Sequence, residues 1–314
     1  MNRKLIILLL IGFIFISGIQ GCEKKQGVKE GYLGGTDGLG LNFAEGEPPE
    51  SVLDANTDPF IITLLLKNKG EYDIPESGVI VTLTGINKDA FQIGDLTKRN
   101  EDPISKSGIE QGKVVTGGQD EISYDAKYRD DLPTDFIQTI GANVCYRYST
   151  GALAKLCLRK GASERARDND VCIIYEDKGI SNSGAPVQIM TLSERPAGTN
   201  KVRVIFEIEN KGKGVSYLKD TFSGSACLES GNRDNENKVN VLVSSDDDVT
   251  ITCNKLNDNA EGEVRLVENK VILSCDIDTS RLQDTTFISP LKINLDYMYK
   301  DFISKQIKIE NAVV

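Results

Sequence analysis

The chain contains no histidine and no tryptophan in 314 residues. Without histidine, the usual general base and the commonest metal ligand are both missing. The lack of tryptophan weakens any proposal of sugar stacking. No asparagine begins an Asn-X-Ser/Thr acceptor, so N-glycosylation of the standard kind is not expected. Serines such as Ser149, Ser181 and Ser183 have no histidine partner, and no Gly-x-Ser-x-Gly elbow occurs. Nothing singles out a carboxylate pair of the glycosidase kind among 47 acidic residues. The expectation is a protein that is not an enzyme and takes no cofactor.

What is present describes a folded, acidic, exported protein. Hydrophobic residues make up 39% and charged residues 27%, the balance of a globular chain long enough to bury a core in each of two domains. The formal charge is −10, and losing a leader that carries Arg3 and Lys4 makes it more negative still. Such a surface repels nucleic acid phosphates and anionic headgroups.

Arg3 and Lys4 precede the apolar run Leu5 to Ile16, which is followed by Ser17 to Gly21 and Cys22. This is the layout of a secretory signal. The run is too short to cross a bilayer comfortably, although residues 5–21 could serve as an uncleaved anchor. Ile19-Gln20-Gly21-Cys22 resembles a lipoprotein signal box, which implies lipidation at Cys22, with Gln20 departing from the usual small residue. Lipid attachment, uncleaved anchoring and simple secretion all place the folded part outside the cytoplasm. Residues 22–35 then read as a tether.

Seven cysteines less Cys22 leave six, an even number suited to three disulfides in an exported chain. A metal site is disfavoured because no Cys-x-x-Cys knuckle occurs.

Two stretches repeat. Phe60, Ile62, Leu64 and Leu66 share one face of an extended strand, as do Val202, Val204, Phe206 and Ile208, and both runs end in Asn-Lys-Gly, at Gly70 and Gly212. That ending suits a turn needing positive φ. Further short apolar segments and no convincing helical period predict an all-β fold of two tandem immunoglobulin-like sandwiches. The expected layout is a signal or anchor over 1–21, a tether over 22–35, a first sandwich over 36–160, a connector over 161–185 and a second sandwich over 186–314. Within the connector, Val171 to Tyr175 reads as a strand.

The closing segments align at an offset of 151, which matches Tyr146 and Tyr148 with Tyr297 and Tyr299. Each closing segment reads as a pair of strands, the first turning around Ser149-Thr-Gly151. In that hairpin Cys145 and Cys157 face each other, where the second copy has Asp296 and Lys308, so a Cys145–Cys157 bond is expected. Cys253 and Cys275, on neighbouring strands, pair next, and Cys172 with Cys227 remain by elimination, although 15 connectivities are formally open. The tyrosines read as core, with an exposed ligand patch as the alternative. Asp246-Asp-Asp248, Asp234-x-Glu236 and Asp168-x-Asp170 lack the spacing of a calcium loop and read as solvated turns.

A strand ending in Asn-x-Gly before an apolar strand resembles the CARDB type of immunoglobulin-like domain of prokaryotic surfaces. Gly34-Gly-Thr-Asp-Gly-Leu39 through Phe43, Pro48-Pro49, Gly184-Ala-Pro-Val187 and the terminal Leu-Asp-Tyr-x-Tyr make the whole chain similar to uncharacterised secreted proteins of archaea. That resemblance implies a surface role and no known reaction. The expected function is a membrane-tethered structural or interaction protein (a spacer, adhesin or envelope-assembly subunit) whose partner is another envelope protein or a second copy. A small-molecule or glycan-binding module using sandwich-end loops is the alternative.

Overall fold

The computed structural model describes residues 31–163, 170–222, 226–227 and 233–312. Cys22 and most of the expected tether lie outside them.

The fold is all-β. The first half of the chain forms β1 (Leu39–Phe43), β2 (Ser51–Leu53), β3 (Pro59–Asn68), β4 (Val79–Thr84) and β5 (Thr97–Arg99). A small hairpin of β6 (Gly108–Glu110) and β7 (Lys113–Val115), then β8 (Gln119–Lys127) and the long β9 (Phe136–Leu158), complete it. Next come β10 (Glu176–Asp177), β11 (Ile180–Asn182), β12 (Val187–Pro196), β13 (Lys201–Asn210) and β14 (Val215–Tyr217). The chain closes with β15 (Lys238–Ser245), β16 (Thr250–Cys253), β17 (Glu261–Arg265), β18 (Lys270–Asp278) and the long β19 (Phe287–Glu310).

A three-stranded sheet of order β1-β3-β8 and a five-stranded sheet of order β10-β12-β13-β18-β16 pack on one large sheet. That sheet runs β17-β15-β19-β9-β4-β5, with β11 added to β9, and β2 and β14 added to β19. Bonds between layers hold the first pairing: Tyr124 Oη donates to the Val81 carbonyl, and Leu39 N donates to Tyr146 Oη. The inward faces of β3 and β13 are the two apolar rows read from the sequence, and all eight residues are buried. Burying each such side chain contributes about 1.5–3 kcal/mol relative to exposure.

The closing segments are where the structure departs from the sequence reading. Ser149-Thr-Gly151 is not a turn: β9 runs straight through it, and β19 runs unbroken through the equivalent positions. The two pair antiparallel from Phe136↔Ile309 to Leu158↔Phe287. The middle pair is Arg147↔Met298, and these two residues are themselves equivalents at the offset of 151. A local pseudo-two-fold therefore passes through this pair. Each half lends the end of its long strand to the other: β19 is joined at Lys308–Glu310 by β2, and β9 at Ala152–Ala154 by β11.

The described residues from Gly31 onward cluster as one compact unit, and the β9–β19 pairing places strands of both expected sandwich segments in one sheet. Val171 to Tyr175 is not a strand, contrary to expectation; among the described residues of the connector, only Glu176–Asp177 and Ile180–Asn182 enter sheets.

Candidate interaction surfaces around a rigid centre

The repeated Asn-Lys-Gly is explained by the tyrosines. Asn68 Nδ2 donates to the Tyr72 carbonyl, while its Oδ1 accepts from Gly70 N at 3.2 Å and from Tyr148 Oη at 3.0 Å. In the second copy Asn210 Nδ2 donates to the Gly214 carbonyl, and its Oδ1 accepts from Gly212 N at 3.2 Å and from Tyr299 Oη at 3.1 Å. The glycines are not there for positive φ, contrary to expectation, since neither adopts it. A Cβ at 70 would overlap Tyr148 Oη and the Gly184 carbonyl, and a Cβ at 212 would overlap Tyr299 Oη. Close approach of a phenol to backbone is what requires glycine here.

Tyr148 lies opposite Tyr297, and Tyr146 opposite Tyr299, on the inward face at the pseudo-two-fold. All four are buried, with ring centroids 5.7 Å apart for Tyr146–Tyr148 and 5.8 Å for Tyr146–Tyr299. Burial holds all four phenols well above their ordinary pKa. Their hydroxyls are spent on backbone and side-chain bonds: Val187 N donates to Tyr297 Oη just as Leu39 N does to Tyr146. The tyrosines are core, not an exposed ligand patch.

The six expected cysteines are all bonded, in a different pattern. Cys253 pairs with Cys275 across adjacent strands, as expected. Cys145 pairs with Cys227 and Cys157 with Cys172, in place of Cys145–Cys157 and Cys172–Cys227. The reason is the unbroken strand: twelve residues at about 3.3 Å each put positions 145 and 157 roughly 40 Å apart. Asp296 and Lys308 are separated in the same way, and Lys308 pairs instead with Asp135 at 2.8 Å and Glu310 at 3.0 Å. Cys145 and Cys157 both lie on the face of β9 opposite to Val144 and Tyr146, and each pins a covering segment to that face.

The acidic triplet does not converge. Asp246 pairs with Lys292, Asp248 with Arg281, and Asp247 accepts from Ser289. Among the described residues no group of three potential ligands gathers, and Asp168 lies outside them. Asp170 pairs with the buried Arg159 at 3.1 Å.

Two carboxylates that the sequence did not single out organise the connector. Glu71 accepts from Leu33 N and Gly34 N, both at 3.0 Å, and from Gly184 N at 2.7 Å, so it clamps residues 33–34 and 184 together. Glu194, on β12, accepts from Cys157 N at 3.0 Å and from the Lys178 ammonium at 3.0 Å. Burial pushes its pKa up to about 7, against the lowering effect of those two donors. Lys178 also donates to the Ile173 carbonyl at 2.6 Å and pairs with Glu176. Disulfide and ammonium together fix residues 171–178 as a strap along the β9 edge. Ile174 is buried beneath the strap while Val171, Ile173 and Tyr175 point outward, Tyr175 with its ring over Arg195. Alternation about the bonded Cys172 was the available signal.

A groove of about 1110 Å³ lies on the outer face beside β14 and β19, lined by Asn143, Lys213, Asp234, Glu236, Asp301 and Phe302 among others. Its lining mixes both charge signs with one exposed aromatic ring.

No family model matches the chain, and no curated protein does. Among solved structures, collagen adhesin from S. aureus is 9% identical over 87% of this chain and 86% of its own, with a TM-score of 0.11. CfaE, the adhesive subunit of the CFA/I fimbria of enterotoxigenic Escherichia coli, is 10% identical over 89% and 85%, also with a TM-score of 0.11. Likeness at that level carries no argument about fold or role.

Proposed function

We propose that this is a membrane-tethered structural or interaction protein of the envelope, which presents surfaces to another protein and carries out no reaction. Three disulfides fit an oxidising, extracytoplasmic compartment. Among the described residues no helix is long and apolar enough to cross a membrane, and the tether falls to residues before Gly31, by lipid on Cys22 or an uncleaved leader. The observation that carries the reading is the β9–β19 ladder, which fuses both halves into one sheet and removes a hinge between them. A body of that kind suits holding surfaces at fixed separation. Crosslinking on intact cells followed by mass spectrometry tests it, with envelope or surface proteins as the expected neighbours. Recovery of cytoplasmic neighbours alone overturns it.

The groove beside Phe302 supports the second reading, a glycan or small-molecule module. Phe302 and Asn143 offer a ring face and an amide to a polar ligand. Saturation-transfer NMR against a panel of soluble glycans decides for it if signals appear and are lost in Phe302→Ala.

A further inference from the structure

We infer that the strap formed by Val171, Ile173 and Tyr175, with Ile288 beside it, docks on the lipid surface to which the chain is tethered. This rests on the tether reading above.

These four side chains are 68%, 56%, 65% and 54% exposed. They are held in place rather than left loose. Cys172 is bonded to Cys157, and Ile288 is the cross-strand partner of Cys157, so strap and Ile288 meet at one end of the β9 edge. Lys178 and Glu194 fix the other end of the strap. Over residues 171–175 exposed positions alternate with buried or half-buried ones, and the exposed set there is Val171, Ile173 and Tyr175, a surface that gains by leaving water. Tyrosine beside aliphatic residues is the composition favoured at a membrane interface.

The occupant is argued from where the tether meets the body. An ideal Cβ at Gly31 would lie 3.1 Å from Ser181 Oγ, and Glu71 fixes Leu33 and Gly34 just after it. Ser181 pairs with Leu153 on the edge of β9. Leu153 and Cys157 are four residues apart, about 13 Å along the strand. The chain therefore joins the body on the strap's own edge. From the apolar run ending at Ile16 to Gly31 there are fifteen residues, a reach of at most about 50 Å. A tether that short keeps this edge at high effective concentration near the lipid, so even weak interfacial partition is expressed.

The absence of tryptophan provides the test. Full-length protein is extracted from its membrane and reconstituted into phosphatidylcholine vesicles with brominated acyl chains, in variants Ile173→Trp, Ile288→Trp and Ile272→Trp. Ile272 is comparably exposed, at 52%, but lies on β18 in the five-stranded sheet. Expected are a blue shift and loss of most emission at positions 173 and 288, with neither at 272. Vesicle-bound protein whose indoles at 173 and 288 remain water-like and unquenched overturns the docking and leaves the tether standing. Equal quenching at all three positions also overturns it. A blue shift without lipid that grows with protein concentration would mean that a second copy covers the strap, and would defeat the proposal. If the protein does not float with vesicles at all, the tether reading fails first and the docking with it.

Discussion

At Gly70 a methyl group would meet a phenol oxygen and two backbone carbonyls, and at Gly212 a phenol and the ring of Pro186. Backbone yields less than a side chain does, so Gly70→Ala should destabilise more than Gly212→Ala. Overpacking of this kind costs about 1–3 kcal/mol, occasionally more, and urea midpoints for the two variants check the order. Tyr148→Phe should cost about 1 kcal/mol, because it deletes one buried hydrogen bond to Asn68, and Tyr299→Phe should cost more, because it deletes the bond to Asn210 and also leaves the Gly214 N–H without its acceptor. Glu194 gives a pH signature. Its folded pKa is raised from 4.5 to about 7, so the fold favours the protonated acid. That stabilisation is fully present below the unfolded value and is lost as pH rises through about 7. The stability of the wild type relative to Glu194→Gln should therefore fall between these two values. A flat difference across chemical denaturation curves in that window would refute it. The repeated asparagines and glycines were visible in the sequence, but their reason was not, because the tyrosines that the two asparagines serve lie 80 and 89 residues away.

At the scale of elements, the disulfides divide by what they cross-link. Cys253–Cys275 ties neighbouring strands, whereas Cys145–Cys227 closes a separation of 82 residues between the first half and the segment over β14. Chain entropy alone assigns about 3 kcal/mol to a loop of 15 residues and about 4–5 kcal/mol to one of 82. Cys145→Ser with Cys227→Ser should thus lower stability more than Cys157→Ser with Cys172→Ser. Non-reducing peptide mapping should recover 145–227, 157–172 and 253–275, and a 145–157 peptide would exclude the β9 described here. The strands carrying Phe60 to Leu66 and Val202 to Ile208 were legible from alternation and the turn residues that end them. The continuity of β9 was not. Ser149-Thr-Gly151 has turn composition, yet Thr150 Oγ1 donates to the Val187 carbonyl and lies 3.0 Å from Tyr297 Oη, holding the segment extended.

At the scale of the molecule, a shared ladder predicts shared unfolding. Leu64 and Leu273 are both fully buried, one in each half. Leu64→Ala and Leu273→Ala should each remove about 2–5 kcal/mol. Both should shift one calorimetric transition rather than split it, because neither half keeps its sheet when the other melts. Two transitions, each responding to one variant, would restore the picture of independent domains. Hydrogen exchange gives the same test locally, with β9 and β19 the slowest amides and equal in rate.

By itself the sequence determined the all-β class, the duplicated unit, the apolar rows of β3 and β13 and the cysteine count suited to an exported chain. All of these are properties of near neighbours along the chain or of composition. Only the tertiary structure decided that the long strands exchange ends, which cysteines meet, and that the tyrosines close on one another at a pseudo-two-fold. Alternation with a period of two fixes which face a residue takes, but it carries no information about whether a strand finds its partner in its own half or in the other.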